Sequence, residues 1–207
     1  MSFWDLIYQK KCLGCGRVGQ YFCDQCLKTG EISDECFNNH LSLFCYRGLI
    51  REAIKQLKFR FLKDIEGELK QLIESGLRHK LTQPNTDLFR EFLALKPVVQ
   101  PLPLHWFREN RRGFNQAELI GQIISRQLRL KLIDRLERVK LTTPQSRLPR
   151  EERLTNVKDI FQVKPGHLPK SILLIDDVWT TGSTMREAIK VLKEKGVREI
   201  WGLSLAR

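Results

Sequence analysis

Two carboxylates, Asp176 and Asp177, are followed at short range by Thr180, Thr181, Gly182, Ser183 and Thr184. Those residue types in that order suit a phosphorylated sugar. Adjacent carboxylates can accept hydrogen bonds from vicinal ribose hydroxyls. Short hydroxyl side chains donate to a phosphate, and a glycine among them lets the backbone approach without a side chain in the way. The apolar run Ile172 to Ile175 precedes the acids and predicts a buried parallel strand. A helical pattern opening at Met185 follows, and the amides at the start of a helix favour an anion. In an open α/β sheet such a loop lies at the carboxyl ends of the strands, where ligands bind. An ordinary strand with a capped helix behind it would explain any one of these residues, but not their joint order as well. The stretch is not a Walker A loop, because no Gly-Lys-Ser/Thr follows the glycine, and no Gly-x-Gly-x-x-Gly turn follows this strand.

A second constellation is Cys12, Cys15, Cys23 and Cys26, two Cys-x-x-Cys pairs separated by seven residues. Each pair fits a tight turn that aims two thiolates at one cation, and two such turns give the tetrahedral sulfur set that Zn²⁺ prefers. The gap is shorter than the usual ribbon spacing of about 15–20 residues, so a compact hairpin with a short strand over Val18 to Phe22 is expected. A redox pair, or cysteines packing as small hydrophobes, are the alternatives. A redox pair belongs on a βαβ unit, which two close pairs in a short polar segment do not suit. Four protein ligands leave no open coordination position, which makes such a site structural. Cys36, His40 and Cys45 match no zinc spacing, and buried thiols and a surface histidine are expected there.

The third feature is cationic. His105 to Gln116 is expected as a basic loop in which Arg108, Arg111 and Arg112 precede Gly113, with Trp106, Phe107 and Phe114 interleaved. Guanidinium groups offer planar, bidentate donors to a diphosphate. The same mixture would serve a nucleic-acid strand through phosphate contact and base stacking, and a solvated loop with its aromatics tucked inward fits equally well. His105 is a candidate general base, although a lone histidine after a strand is more often structural. Lys140 to Asn156 is a further basic segment whose Pro144 and Pro149 prevent a simple helix and predict an extended excursion.

The elements that must position these groups follow from periodicity. Leu49, Ile50, Ala53, Ile54 and Leu57 recur at helical spacing, and a second helix is expected over Ile65 to Arg78 with Leu69, Leu72 and Ile73 inward. Thr82 to Asp87 is polar and contains Pro84, which predicts a loop. Pro97 to Leu104 predicts a short buried strand stopped by prolines. Asn115 is placed to cap a helix over Gln116 to Leu128. Ile160 to Val163 is a strand candidate, and Val197 to Leu205 is expected to close the sheet.

The 207 residues suffice for one good-sized domain and a small one, here 1–45 and 46–207. The net charge of +12 is uneven: residues 1–45 hold 4 Lys/Arg against 5 Asp/Glu, and residues 105–153 hold 12 against 6. The basic excess belongs to the larger unit and suits a polyanion. No apolar run is long enough for a bilayer span. The start of the chain lacks the basic and cleavage features of a secretory signal, so a cytoplasmic protein is expected. Six cysteines in a reducing compartment argue for metal over disulfides.

The stretch Asp176 to Thr184 resembles the phosphoribosyl-diphosphate (PRPP) signature of type I phosphoribosyltransferases. More of the chain is similar to the ComF/GntX family of competence-associated phosphoribosyltransferase-like proteins, of the ComFC type. The likeness runs through the four-cysteine module, Ala53-Ile-Lys-Gln-Leu-Lys-Phe-Arg60, Pro101-Leu-Pro-Leu-His105, Arg112-Gly-Phe-Asn-Gln-Ala117, Thr143-Pro-Gln145 with Arg153 and Asn156, and Leu205-Ala-Arg207. Phe61 departs from the family, where glycine is commoner. The resemblance implies an α/β fold with a type I phosphoribosyltransferase-like parallel sheet flanked by helices and a small N-terminal zinc ribbon. It implies that Asp176 and Asp177 hold the ribose hydroxyls and Thr180 to Thr184 the 5′-phosphate. Lys58, Arg60, Arg108, Arg111 and Arg112 are implied for the diphosphate or for DNA phosphates, with Mg²⁺ entering with PRPP. A role in natural transformation is also implied, in DNA uptake and the handling of internalised single-stranded DNA. A DNA-translocating ATPase or another competence protein is a possible partner. The alternative is an active phosphoribosyltransferase that moves the phosphoribosyl group from PRPP to a nitrogen nucleophile in nucleotide metabolism or salvage.

Overall fold

The computed structural model describes residues 9–28, 32–33, 36–37, 39–59, 65–141 and 159–207. Its centre is a five-stranded sheet in the order β1-β2-β7-β6-β3, formed by β1 (Cys36–Phe37), β2 (His40–Phe44), β3 (Val98–Pro101), β6 (Ser171–Val178) and β7 (Glu199–Ala206). Within this sheet β1 and β2 pair antiparallel, whereas β2, β7, β6 and β3 run parallel. Ile172 to Ile175 are all buried, as a strand covered on both faces requires. Successive side chains on β6 enter different layers. After a short α1 (Asp24–Lys28), the helices α2 (Gly48–Phe59), α3 (Glu66–Thr82), α4 (Asp87–Ala94) and α6 (Gln116–Leu128) join Leu173 and Ile175 in one core. Ile172 and Leu174 join α7 (Ser183–Glu194) and the strands β4 (Leu136–Arg138) and β5 (Phe161–Val163) in the other. The parallel sheet flanked by helices is therefore as expected.

Several boundaries differ from the sequence reading. The helix expected to stop at Arg78 continues to Thr82, and the polar stretch after it contains a 3-10 turn, Pro84–Thr86, leading into α4. That helix was missed because it is short, yet Phe89 and Phe92 pack on Trp201 with ring centroids 5.2 and 5.9 Å away. The last strand does not close the sheet. β7 lies inside it, because β2, an all-buried strand absent from the sequence reading, adds at Gly202 to Ala206. β1 and β2 thus lie in the main sheet, although their residues precede position 45. β4 and β5 pair antiparallel and bring together the two ends of the basic excursion, whose residues 142–158 lie outside the described ones.

The contact between β2 and α3 is close. Gly76 on α3 is buried, and a Cβ there would stand 2.5 Å from Cζ of Phe44, itself only 3% exposed. Alanine in a helix gains about 1 kcal/mol over glycine, whereas overpacking a core costs about 1–3 kcal/mol. Gly76→Ala is therefore expected to lower the denaturant midpoint despite its better helix propensity. A raised midpoint would show that the Phe44 ring yields more readily than its burial implies.

Candidate functional site

β6 ends in the acid pair. Each carboxylate turns back on the chain: the Asp177 amide donates to Asp176 Oδ1 and the Val178 amide to Asp177 Oδ1, both at 2.8 Å. Asp176 pairs in register with Ser204 on β7, and Ser204 with Ser42 on β2, whose hydroxyls meet at 2.9 Å. A polar row thus crosses three strands where the apolar run ends. The loop after β6 leads into α7 through Gly182, which holds φ +71°. The helix begins at Ser183, two residues before the expected Met185, because left-handed Gly182 takes the N-cap position. Within the loop Thr181 Oγ1 and Ser183 Oγ lie 2.5 Å apart, and the Ser183 amide donates to Thr181 Oγ1 at 3.3 Å. Arg186 reaches back from α7 and donates from Nη2 to the Thr181 carbonyl at 2.8 Å. The hydroxyls, the acid pair and the first turn of α7 converge at the carboxyl edge of the sheet.

The loop rests on aromatic rings. A Cβ on Gly182 would fall 2.2 Å from Cζ2 of Trp179. Both the left-handed backbone and the missing side chain are therefore required. Trp179 in turn lies against His40, ring centroids 3.8 Å apart. His40 enters from β2 opposite Gly202, where a Cβ would stand 2.8 Å from its Cδ2. His40 is buried, not at the surface as the sequence suggested. Neither Arg186 nor the His40 support was foreseen. No local signal marks His40, because β2 is five residues long and pairs with β7, far along the chain.

The cationic stretch lies on the same edge. Pro101 of β3 pairs with Ile175 of β6, and the Leu102 amide donates to the Ile175 carbonyl at 2.8 Å. Residues 106–112 form a helix, α5 (Trp106–Arg112), where a loop was expected. His105 caps it by accepting from the Phe107 amide at Nδ1, 3.2 Å away, and left-handed Gly113 ends it. His105 is thus engaged in structure. Asn115 caps α6 through Ala117 as foreseen, and its Nδ2 donates to the Leu102 carbonyl. α5 carries Arg108, Arg111 and Arg112 in its backbone, and Lys58 lies near the end of α2; their side chains, like all of Arg60, are outside the described residues. α2 is tied to α6 where Gln116 Nε2 donates to the Leu57 carbonyl at 3.2 Å.

The four cysteines do come together. The Sγ atoms of Cys12, Cys15, Cys23 and Cys26 lie within 4.8 Å of one another, with Cys15 and Cys23 at 3.6 Å. Tetrahedral sulfurs about 2.3 Å from one ion would stand about 3.8 Å apart, so the donor set fits such a metal. Burial opposes ionisation of Cys12, but amides of Cys23, Cys15 and Gly14 outweigh it and hold the thiol at about 6. Cys26, hydrogen-bonded to the Cys23 thiol and partly desolvated, is pushed up to about 12. A dication binds such sulfurs as thiolates and would displace the protons that remain. The letters Gly14, Gly16 and Gly19 match a dinucleotide fingerprint, but here they belong to this knuckle. Gly14 faces Cys26 and the other two hold positive φ. Cys36, His40 and Cys45 join no metal-type cluster among the described residues.

Comparison with known proteins identifies the lineage. Over 205 residues the chain is 34% identical to Competence protein F of Haemophilus influenzae, covering 94% of this chain and 84% of that protein. The chain belongs to the ComF/ComFC family of competence proteins. A ComFC relative, Competence protein ComFC of Streptococcus pneumoniae, is 29% identical over 92% of this chain and 83% of its own length. Among solved structures, adenine phosphoribosyltransferase from Leishmania donovani overlaps 83% of this chain and 72% of its own at a TM-score of 0.41 and 14% identity, too loose to carry an argument. No family model matches. No helix among the described residues is long and apolar enough to cross a membrane.

Burial lowers the His40 pKa to about 3 from an ordinary 6.5. The folded chain then resists a proton that the unfolded chain accepts. Stability contributed by neutral His40 is present above pH 6.5 and is lost as pH falls towards 3, by up to ~1.4 kcal/mol per unit. His40→Asn should flatten the acid limb of the stability curve in denaturant titrations between pH 6.5 and 4. An unchanged slope would mean that the imidazole is not kept neutral by the fold.

Proposed function

We propose that this member of the ComF/ComFC family is a cytoplasmic, PRPP-binding, phosphoribosyltransferase-like protein that acts in natural transformation and handles internalised single-stranded DNA. The observation that carries the pocket is the edge itself: two carboxylates at the end of a buried parallel strand, then a hydroxyl loop that reaches a helix N-terminus through Gly182 at φ +71°. Asp176 and Asp177 take the ribose hydroxyls. Thr180, Thr181, Gly182, Ser183 and Thr184 take the 5′-phosphate, whose oxygens replace the internal Thr181–Ser183 hydroxyl contact and meet the positive end of α7. Lys58, Arg60, Arg108, Arg111 and Arg112 meet the diphosphate or DNA phosphates, and Mg²⁺ binds with the diphosphate oxygens. The competence names of the relatives and the net charge of +12 support the DNA role. Engagement of His105 as a helix cap favours binding over group transfer. The cysteine module, within residues 1–45, carries zinc as a structural ion. Its near-neutral charge suits a partner protein, such as a DNA-translocating ATPase, better than DNA.

PRPP with Mg²⁺ is expected to raise the melting temperature of the wild-type protein, and Asp176→Asn combined with Asp177→Asn should abolish the rise. Gly182→Ala should abolish it too, because its Cβ collides with Trp179. An equal rise in the acid double variant would remove the pocket assignment. Diphosphate release on adding nucleobases or amines would move the protein to the active transferases.

For the metal, elemental analysis of purified protein should give one equivalent of zinc, absent when Cys23 and Cys26 are both changed to serine. Metal retained by that variant would place it on other ligands.

A further inference from the structure

Trp106 and Phe107, the first two residues of α5, are 64% and 49% exposed. Two adjacent large aromatics left in water on a chain with two well-filled cores suit a ligand, because covering their apolar surface is favourable. The two rings meet edge to face, centroids 5.9 Å apart at 88°. They are also braced. The buried His105 ring lies 5.6 Å behind Trp106, and the same histidine holds the Phe107 amide. A supported, exposed π-face costs little ordering when a flat ligand stacks on it.

Two sources of such a ligand can be weighed on charge and place. α5 carries three arginines against one glutamate, an unsuitable margin for a purely apolar protein groove and a suitable one for a polyanion. β3, which leads into α5, pairs with β6, so the aromatic pair and the Asp176–Thr184 loop stand at the same edge of the sheet. We propose that Trp106 and Phe107 form a stacking platform for a base of single-stranded nucleic acid, seated beside the ribose-phosphate loop. The platform deepens the DNA-handling reading and rests on it. Stacking on an aromatic face is sequence-tolerant, since every base offers a π-surface, while the cationic helix supplies the salt-dependent attraction. A strand held this way places its sugar-phosphate backbone along the edge that carries the acid pair.

The test uses the full chain, a fluorescein-labelled oligothymidylate and an abasic phosphodiester of equal length, titrated at two salt concentrations. Trp106→Ala should bind the oligothymidylate about 5- to 150-fold more weakly, with Phe107→Ala weaker as well. Both should melt at the wild-type temperature, since the rings are exposed. The abasic strand should bind wild type and Trp106→Ala alike. Equal affinity of wild type and Trp106→Ala for the oligothymidylate, with salt dependence intact, would overturn the platform and leave the DNA reading standing. Absence of any binding by the wild type at low salt would overturn both. A wild-type dimer in sedimentation that Trp106→Ala converts to monomer would assign the patch to a second copy of this chain and overturn the proposal.

Discussion

The arrangement at the carboxyl edge depends on one column of contacts, Gly182 on Trp179, Trp179 on His40, and His40 in the gap at Gly202. Each member fixes the next. The indole occupies the space that any Cβ at 182 would need, and the imidazole occupies the space that any Cβ at 202 would need. With both glycines present, the loop backbone comes down onto a rigid aromatic floor and turns into α7 at a positive φ that only glycine adopts cheaply. With either replaced, the floor and the loop compete for one volume, and close-packed interiors resolve such conflicts by moving backbone. Arg186 then ties the loop from the helix side, through the Thr181 carbonyl.

That column explains why the sheet order matters. His40 can support a loop that follows β6 only because β7 lies between β2 and β6, and Gly202 on β7 is the residue it crosses. The same register lines up Ser42, Ser204 and Asp176, so two buried serines flank the level at which β6 turns from apolar to polar. Four consecutive buried aliphatic residues hold β6 between two layers. The acids immediately after them emerge where those layers end, which keeps carboxylates at an edge without burying their charge in either core.

Much of the loop was legible because its residue types answer to local rules. Asp176 to Thr184 follows a continuous apolar run, the Asn115 cap falls where its side chain meets the Ala117 amide, and the four cysteines gather as their spacing requires. What escaped the sequence depends on distant partners. β2 is too short to announce itself, and its burial comes from β7, more than 150 residues later in the chain. α4 is eight residues long and gains its place from Trp201. The arginines of α5 mask its helical periodicity, while the cap at His105 and the left-handed Gly113 are the signals that mark it. The role of His40 could not be read at all, since an imidazole buried under an indole looks in sequence like any lone histidine.

The cysteine module and the carboxyl edge are not energetically separate. Cys12, Phe22 and Cys23 belong to the same buried cluster as Leu41, Leu43, Ile175 and Leu203. The Phe22 amide donates to Glu68 on α3, and Gly14 admits both the Cys26 sulfur and the Leu49 side chain. A metal held by the four thiolates would therefore also fix the surface on which α2 and α3 pack, and α3 is the helix that receives Phe44 at the end of β2. β2 begins with His40. One helix and one strand thus join the sulfur cluster to the floor of the loop by continuous packing.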